Sequence, residues 1–285
     1  MNKILQLVKR YGIIKFLMMA VDEVIHIFNK FLRELFYHWT KDDFGIKEAL
    51  FWSKDIDQYM RYSKILGELK KIQSVGNQKI RILDVGAGGE GIAKFLKYSG
   101  DINKYEVYLA DTNADFLTNV KLGKPVVIKG KTLSFKDNEF DIVVSVDTLE
   151  HIPKNGRNDF LKELKRVGKT VLLHFIMHDP ANQYFGRDID MEFNKWYLKN
   201  FKKENSWVVE HLNIEPPTCS EIKSILPDAV IAGTQNINVW YKYITTSASP
   251  IIGFFTGYAF LGKWKKQFSI PPYHGCFVRW QDNSN

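Results

Sequence analysis

Between Arg81 and Tyr98 the chain runs through Arg81-Ile-Leu-Asp84-Val-Gly86-Ala87-Gly88-Gly89-Glu90-Gly91 into Ile92-Ala-Lys-Phe-Leu-Lys-Tyr98. A β-branched run, a glycine cluster and a helical segment, in that order, restrict the fold more than any other feature. Glycines after a strand let the backbone turn tightly and let a ligand approach with no Cβ in the way. The helix that follows aims free N–H groups and its positive dipole end at that ligand. Tyr105-Glu-Val-Tyr-Leu-Ala-Asp111 reads as the next strand and ends in an acid. A carboxylate there can accept both hydroxyl protons of a ribose. Strand, loop, helix and strand-end acid together predict a nucleoside-cofactor site.

The surrounding sequence keeps the same rhythm. Strands are expected at 81–86, 105–111, 125–128, 140–146 and 169–176, with helices at 92–98, 115–122 and 158–167. Such alternation predicts βαβ units and a mostly parallel, doubly wound sheet covered on both faces. Beyond 177 the order loosens. A loop is expected over 178–184, helices over 191–201 and 220–226, and strand character over 230–244 and 275–280. Residues 245–274 form an insertion rich in Gly, Pro and aromatics. Residues 1–78 read as helices alone, with apolar positions Ile4, Leu7, Val8, Tyr11 and Ile14 at helical spacing and a second helix over 55–72. The expected organisation is a helical extension, 1–78, and an α/β domain, 79–285.

Composition excludes several classes. With 45% hydrophobic and 14% aromatic residues there is ample apolar mass for a core, and disorder is ruled out. Cys219 and Cys276 alone cannot make a disulfide framework or a cysteine-rich zinc site. No apolar run reaches the roughly 18 to 20 residues of a membrane-spanning helix, and Lys15 interrupts any N-terminal signal-like stretch, so a cytoplasmic protein is expected. The net charge of +8 is a weak pointer to an anionic partner and is more commonly just a lysine-rich solvated surface.

Gly86-Ala-Gly88-Gly-Glu-Gly91 formally fits a dinucleotide fingerprint, but Asp84 two residues before its first glycine does not belong to one. The pattern D-x-G-x-G resembles motif I of class I S-adenosylmethionine (SAM)-dependent methyltransferases. The stretch Leu133-Ser-Phe-Lys-Asp-Asn-Glu-Phe-Asp141-Ile-Val-Val-Ser-Val-Asp147-Thr-Leu-Glu-His151-Ile-Pro153 is similar to the fourth-strand region of the type 11 branch. Arg157 and Phe160-Leu-Lys-Glu-Leu-Lys-Arg-Val167 are similar to its following helix. The resemblance covers residues 79–176. It implies a seven-stranded Rossmann-like sheet with SAM as cofactor. Asp84 and the Gly86, Ala87 and Gly88 backbone would hold the amino-acid part, and Asp111 the ribose. Thr132 and Leu133 would flank the adenine, and Val146, with Asp147 beside it, would lie next to the methionine portion. Two positions depart from the family: Lys129 stands where relatives carry an acid, and Glu90 where the third motif glycine is expected.

Methyl transfer from a sulfonium is an in-line displacement that needs alignment, exclusion of water and, for a hydroxyl acceptor, removal of a proton. Asp147, Glu150 and His151 follow the fourth strand, at the carboxyl edge where open α/β sheets bind ligands. His151 is a candidate general base with Glu150 beside it; alternatively both cap the helix that follows. Asp147-x-x-Glu150-His151 also resembles an acid-x-x-Glu-His arrangement of ubiquinone-pathway O-methyltransferases, where a divalent ion is implied; no metal is assigned here. His178 is a candidate for the acceptor pocket, His174 reads as a core histidine, and Glu210-His211 is a candidate to close the same site. The [DNS]-P-P-[YFW] motif of amino-methylating nucleic-acid enzymes is absent after strand four, and neither cysteine suits cytosine C5 methylation, so no nucleic-acid partner is expected.

The expected acceptor is a small molecule, a lipid-linked group or a saccharide, methylated on an oxygen, with nitrogen the less favoured alternative. Aromatics beside Lys263, Lys265 and Lys266 suit peripheral membrane contact through 1–40 and 250–266, or else a substrate lid. Three other readings stay open, one of them a membrane-associated scaffold that fits the two ends of the chain. A NAD-dependent oxidoreductase fits the glycine loop but leaves the strand-four motif unexplained, and a non-catalytic SAM-fold binding protein fits Lys129 and Glu90.

Overall fold

A computed structural model describes residues 53–72, 78–247 and 267–282, with scattered positions between 12 and 28. Most of the expected helical run before residue 53 and most of the 245–274 insertion lie outside the described residues. The chain divides into two compact units, 1–58 with 241–267 and 59–240 with 268–285. The second unit carries the sheet.

That sheet contains β1 (Ile80–Val85), β2 (Tyr105–Asp111), β3 (Lys124–Val127), β4 (Phe140–Val146), β5 (Gly168–Ile176), β6 (His178–Asp179), β7 (Tyr184–Phe185), β8 (Val230–Asn236) and β9 (Tyr273–Gln281). The strand order is β3-β2-β1-β4-β5-β9-β7-β6, and β8 pairs with the other side of β9. β1 to β5 run parallel, while β9 runs antiparallel to both β5 and β8. The helices of the described chain are α1 (Ser53–Leu69), α2 (Gly91–Tyr98), α3 (Ala114–Leu117), α4 (Lys154–Val167), α5 (Gly186–Phe201), α6 (Ser206–Asn213), α7 (Cys219–Ile225) and α8 (Ile237–Ser247).

The central strands are buried on both faces, as continuous apolar runs demand. Ile82, Leu83, Val143, Val144, Val171 and Leu172 are all fully inaccessible, although neighbours in each pair point to opposite faces. On one face Leu161, Leu164 and Val167 of α4 join Leu83, Val143, Val171 and Val278 in a single core. This is the doubly wound α/β architecture the sequence predicts. Chain order reverses at β1 and β4, so the crevice beyond their carboxyl ends is the topological switch point, where ligands bind in open sheets.

Four local expectations need correction. The sheet has nine strands rather than seven, because the expected loop 178–184 forms the paired dipeptide strands β6 and β7. The expected strand 230–244 stops at Asn236, whose side chain accepts from the N–H groups of Asn238 and Val239 (3.0 and 3.2 Å) and starts α8. Val239 and Trp240 are buried from that helix, so an N-cap and helical spacing override β-branched propensity. The expected helix 115–122 ends at Leu117, because Glu90 accepts the N–H groups of Lys121 and Leu122 (2.9 and 3.1 Å). Finally, α6 falls in a stretch where no helix was expected.

Candidate active site

The glycine loop leaves β1 at the switch point. Gly86 has φ of +78°, and a Cβ there would lie 2.1 Å from Thr148 Oγ1, so only glycine lets the loop after β1 touch the turn after β4. Gly86 and Ala87 donate to Ala110 O at 2.8 and 3.1 Å, which ties the loop to β2. Ser145 Oγ donates to Val85 O at 2.8 Å and ties β4 to the same corner.

Asp84 is fully buried and turned toward the start of α2, where its Oδ2 accepts from Ile92 N at 2.7 Å and from Tyr62 Oη at 3.4 Å. Its Oδ1 has no partner, and burial pushes its pKa up to about 7, against the Ile92 hydrogen bond. Asp111 ends β2 with Oδ2 accepting from Gly88 N (2.9 Å) and Oδ1 from Asn113 N (2.8 Å). Each carboxylate oxygen retains acceptor capacity for a hydroxyl. A Cβ built on Gly88 would meet nothing within 4 Å, so open space lies beside that carboxylate. The expected cofactor residues on the loop and on β2 therefore form one corner.

Leu133 is held by a clamp from α4: its N donates to Glu163 Oε2 (2.8 Å) and its O accepts from Arg166 (2.9 Å), while Arg166 and Glu163 pair at 2.8 Å. Thr132 beside it is exposed. Val146 is buried at the end of β4, and Asp147 follows with a left-handed φ of +48°. Asp147 accepts from Arg61 at 2.6 Å and pairs with His174 Nδ1 at 2.8 Å. Burial would raise the Asp147 pKa, but the Arg61 guanidinium and His174 hold it well below the usual carboxylate range. His174 is buried and reaches Thr234 Oγ1 at 3.1 Å through its other nitrogen, as a satisfied core histidine does.

Glu150 and His151 lie in a 3₁₀ turn, Leu149–His151, but face different surroundings. Glu150 is buried, with Oε1 accepting from Ile176 N at 3.2 Å and Oε2 without a partner. Burial, then the negative Asp147, push its pKa up to about 8. With Asp147 committed to Arg61 and His174, the motif does not fit a divalent ion, and among the described residues no group of three or more His, Cys, Asp or Glu is arranged to hold one. His151 is partly open, its side chain 24% exposed. Its Nδ1 lies 3.1 Å from Glu210 Oε1 and its Nε2 3.3 Å from His211 Nε2, with the Trp207 ring edge-on. His178 lies on β6, with its N donating to Pro217 O and its Nδ1 buried without a partner.

Residues outside the expected set complete the site. Arg61 and Tyr62, adjacent on α1, reach Asp147 and Asp84 respectively; an Arg-Tyr pair on a helix before the glycine loop was the available signal. His211 Nδ1 lies 3.0 Å from Asp190 Oδ2, and Asp190 Oδ1 lies 3.2 Å from His274 Nε2. Nothing local in the sequence marks Asp190 or His274.

This corner, a glycine loop and a strand-end carboxylate at the switch point of a doubly wound parallel sheet, defines a Rossmann-like nucleoside-cofactor fold. Residues 83–173 match the family described as methyltransferase domain. That segment, about a third of the chain, is thus similar to a methyltransferase domain, the kind of domain that takes SAM as cofactor. No curated protein sequence matches the chain. Among solved structures, a Pyrococcus horikoshii protein is 22% identical with a TM-score of 0.35, over 52% of this chain and 64% of that one. The match thus spans less than two thirds of that relative. A SAM-dependent methyltransferase from Archaeoglobus fulgidus is 15% identical over 80% of this chain and 98% of its own, with a TM-score of 0.44. A phosphoethanolamine N-methyltransferase from Haemonchus contortus, in complex with phosphomonomethylethanolamine and S-adenosylhomocysteine, is 15% identical over 78% and 53%, with a TM-score of 0.46.

Proposed function

We propose that the chain is a SAM-dependent methyltransferase that transfers the methyl group to an oxygen of a small-molecule, lipid-linked or saccharide acceptor. The observation that carries the reading is the corner at Gly88, where a buried strand-end carboxylate with spare acceptor capacity faces open space beside a glycine loop. When bound there, the cofactor supplies an electrophilic methyl on a sulfonium. The backbone of Gly86, Ala87 and Gly88 and the Asp84 end of β1 hold its amino-acid part, and Asp111 holds the ribose. Thr132 and Leu133 flank the base, with Val146 and Asp147 at the reacting end. Lys129 replaces the family's acid, so adenine recognition rests on backbone groups. Glu90 is committed to Lys121 and Leu122, so its carboxylate braces the loop and does not enter the site.

His151 is the proposed general base, being the partly exposed titratable group of the strand-four turn. His178 lines the acceptor side, and Glu150 is a buried acid in the same turn, facing the core rather than His151. An oxygen acceptor is favoured because a hydroxyl, unlike a free amine, needs such a base. The exposed apolar side chains of Ile13, Leu17, Val21, Val24 and Ile27, at helical spacing, support an acceptor of amphipathic or lipid character and peripheral membrane contact.

Isothermal titration with SAM, S-adenosylhomocysteine and NAD⁺ tests the reading. Micromolar binding of the sulfur ligands, lost in Asp111→Ala, supports it and opens an acceptor screen starting from lipid extracts. Binding of NAD⁺ alone overturns it, and SAM binding with no transfer to any fraction marks a non-catalytic member.

A further inference from the structure

Helix α6 brings Trp207, Glu210 and His211 to one side, at i, i+3 and i+4, and all three meet His151. The contacts form a chain. Glu210 Oε1 lies 3.1 Å from His151 Nδ1, His151 Nε2 lies 3.3 Å from His211 Nε2, and His211 Nδ1 lies 3.0 Å from Asp190 Oδ2. Beyond Asp190, His274 lies 3.2 Å away, with its other nitrogen 3.2 Å from Gln235 and Trp240 stacked on its ring.

The chemistry of these neighbours fixes the protons. An ionised carboxylate only accepts, so each Nδ1 that faces one carries a hydrogen. Two neutral rings so oriented would set two Nε2 lone pairs against each other at 3.3 Å. One further proton turns that repulsion into an N–H···N hydrogen bond. We propose that His151 and His211 act as a single proton acceptor, holding one proton between their facing Nε2 atoms while Glu210 and Asp190 fix both rings from behind. His151, the partly exposed ring, is the catalytic member; His211, Asp190 and Glu210 are positioning residues.

This rests on the methyl-transfer reading and gives its base a composition. As the acceptor oxygen gains the methyl group and the carbon–sulfur bond breaks, with its electron pair staying on sulfur, the hydroxyl proton passes to His151 Nε2. There it is shared with His211 Nε2. The ionised groups facing the pair suit a captured positive charge: Glu210 on α6, Asp190 on α5 and Asp147 after β4, while the buried Glu150 of the 3₁₀ turn keeps its own proton up to about pH 8 and His274 of β9 lies on the far side of Asp190. Burial disfavours a charged His211, but the Asp190 hydrogen bond and charge, helped by the Asp147 charge, outweigh it and raise its pKa. Asp190 itself is held below the ordinary carboxylate range, its burial outweighed by hydrogen bonds from His211 and His274.

The test is a pH titration of the full chain labelled with ¹⁵N-histidine, following ring nitrogens by long-range ¹H–¹⁵N NMR, with His151→Gln and His211→Gln for assignment. The expected result is that both rings carry Nδ1–H throughout and lose one Nε2 proton at a common midpoint. In His151→Gln the His211 midpoint falls by at least about one pH unit from its raised position. Glu210→Gln, at a half-exposed side chain, releases the His151 tautomer and leaves His211 as Nδ1–H. Separate midpoints for the two rings, or a His211 midpoint unmoved by His151→Gln, overturn the proposal. The titration uses neither cofactor nor acceptor. Its failure therefore leaves methyl transfer standing, whereas absence of SAM binding removes that reading and leaves the pair.

Discussion

Glu150→Gln gives the sharpest thermodynamic test of the site, because it removes one proton and almost no volume. In the folded chain Glu150 is fully buried, and its pKa moves from an ordinary 4.5 to about 8, through burial first and the Asp147 charge second. One unit corresponds to 1.36 kcal/mol, so ionising this carboxyl costs the folded state about 5 kcal/mol more than it costs the unfolded chain. The sign follows from proton counting. Between pH 4.5 and 8 the folded state keeps the proton and the unfolded state releases it, so the unfolded state binds fewer protons and stability falls as pH rises. About 3 kcal/mol of that fall is complete at pH 7, and the rest above it. Glutamine keeps the acceptor that meets Ile176 N and has no proton to lose. Urea unfolding of both proteins at pH 5, 7 and 8.5 should therefore show the variant gaining on the wild type by about 2.5 kcal/mol between the first two points and by more at the third. Contributions from Asp84, raised in the same direction, are common to both proteins and cancel. Parallel stability–pH curves would refute the argument, because they would mean that Glu150 ionises in the folded state as it does in water.

Two substitutions in the glycine loop separate its geometry from its family signature. Gly86→Ala places a Cβ 2.1 Å from Thr148 Oγ1 at a φ of +78°; overpacking and left-handed strain together should cost about 2–4 kcal/mol and abolish SAM binding. A variant with unchanged melting temperature and SAM affinity would show that the loops after β1 and β4 do not touch. Glu90→Gly restores the expected motif glycine but removes the acceptor for Lys121 and Leu122 N–H. It should lower stability by about 1–2 kcal/mol and leave SAM affinity no better; tighter binding by calorimetry would identify Glu90 as a defect in the cofactor loop.

The sheet was legible because its signals are local and agree with one another. Phe140-Asp-Ile-Val-Val-Ser-Val146 and Lys169-Thr-Val-Leu-Leu-His-Phe-Ile176 are apolar runs that only a strand buried on both faces accepts, and each lies beside a helix of matching period. The glycine loop and Asp111 were legible for the same reason: their spacing along the chain is itself the geometry of the corner. Errors arose where a side chain distant in sequence took over a backbone group. Leu117 ends its helix because Glu90, far back along the chain, takes the next free N–H groups. Asn236 turns a β-branched run into a helix by capping it.

In the proposed catalytic half, His151 and Glu210-His211 were each legible as candidates, but their pairing was not. Glu150 and His151 are adjacent in sequence, yet a 3₁₀ turn points Glu150 into the core and His151 toward α6. Adjacent residues in such a turn do not share a face, so the pairing that matters is His151 with His211, 60 residues later. That partner depends on α5 and α6 packing together, which brings Asp190 beneath His211, and on β9 supplying His274 from the end of the chain. None of these contacts has a spacing that sequence could display. They become recognisable only through proton counting: a carboxylate behind each imidazole, two nitrogens facing each other, and room for one hydrogen between them.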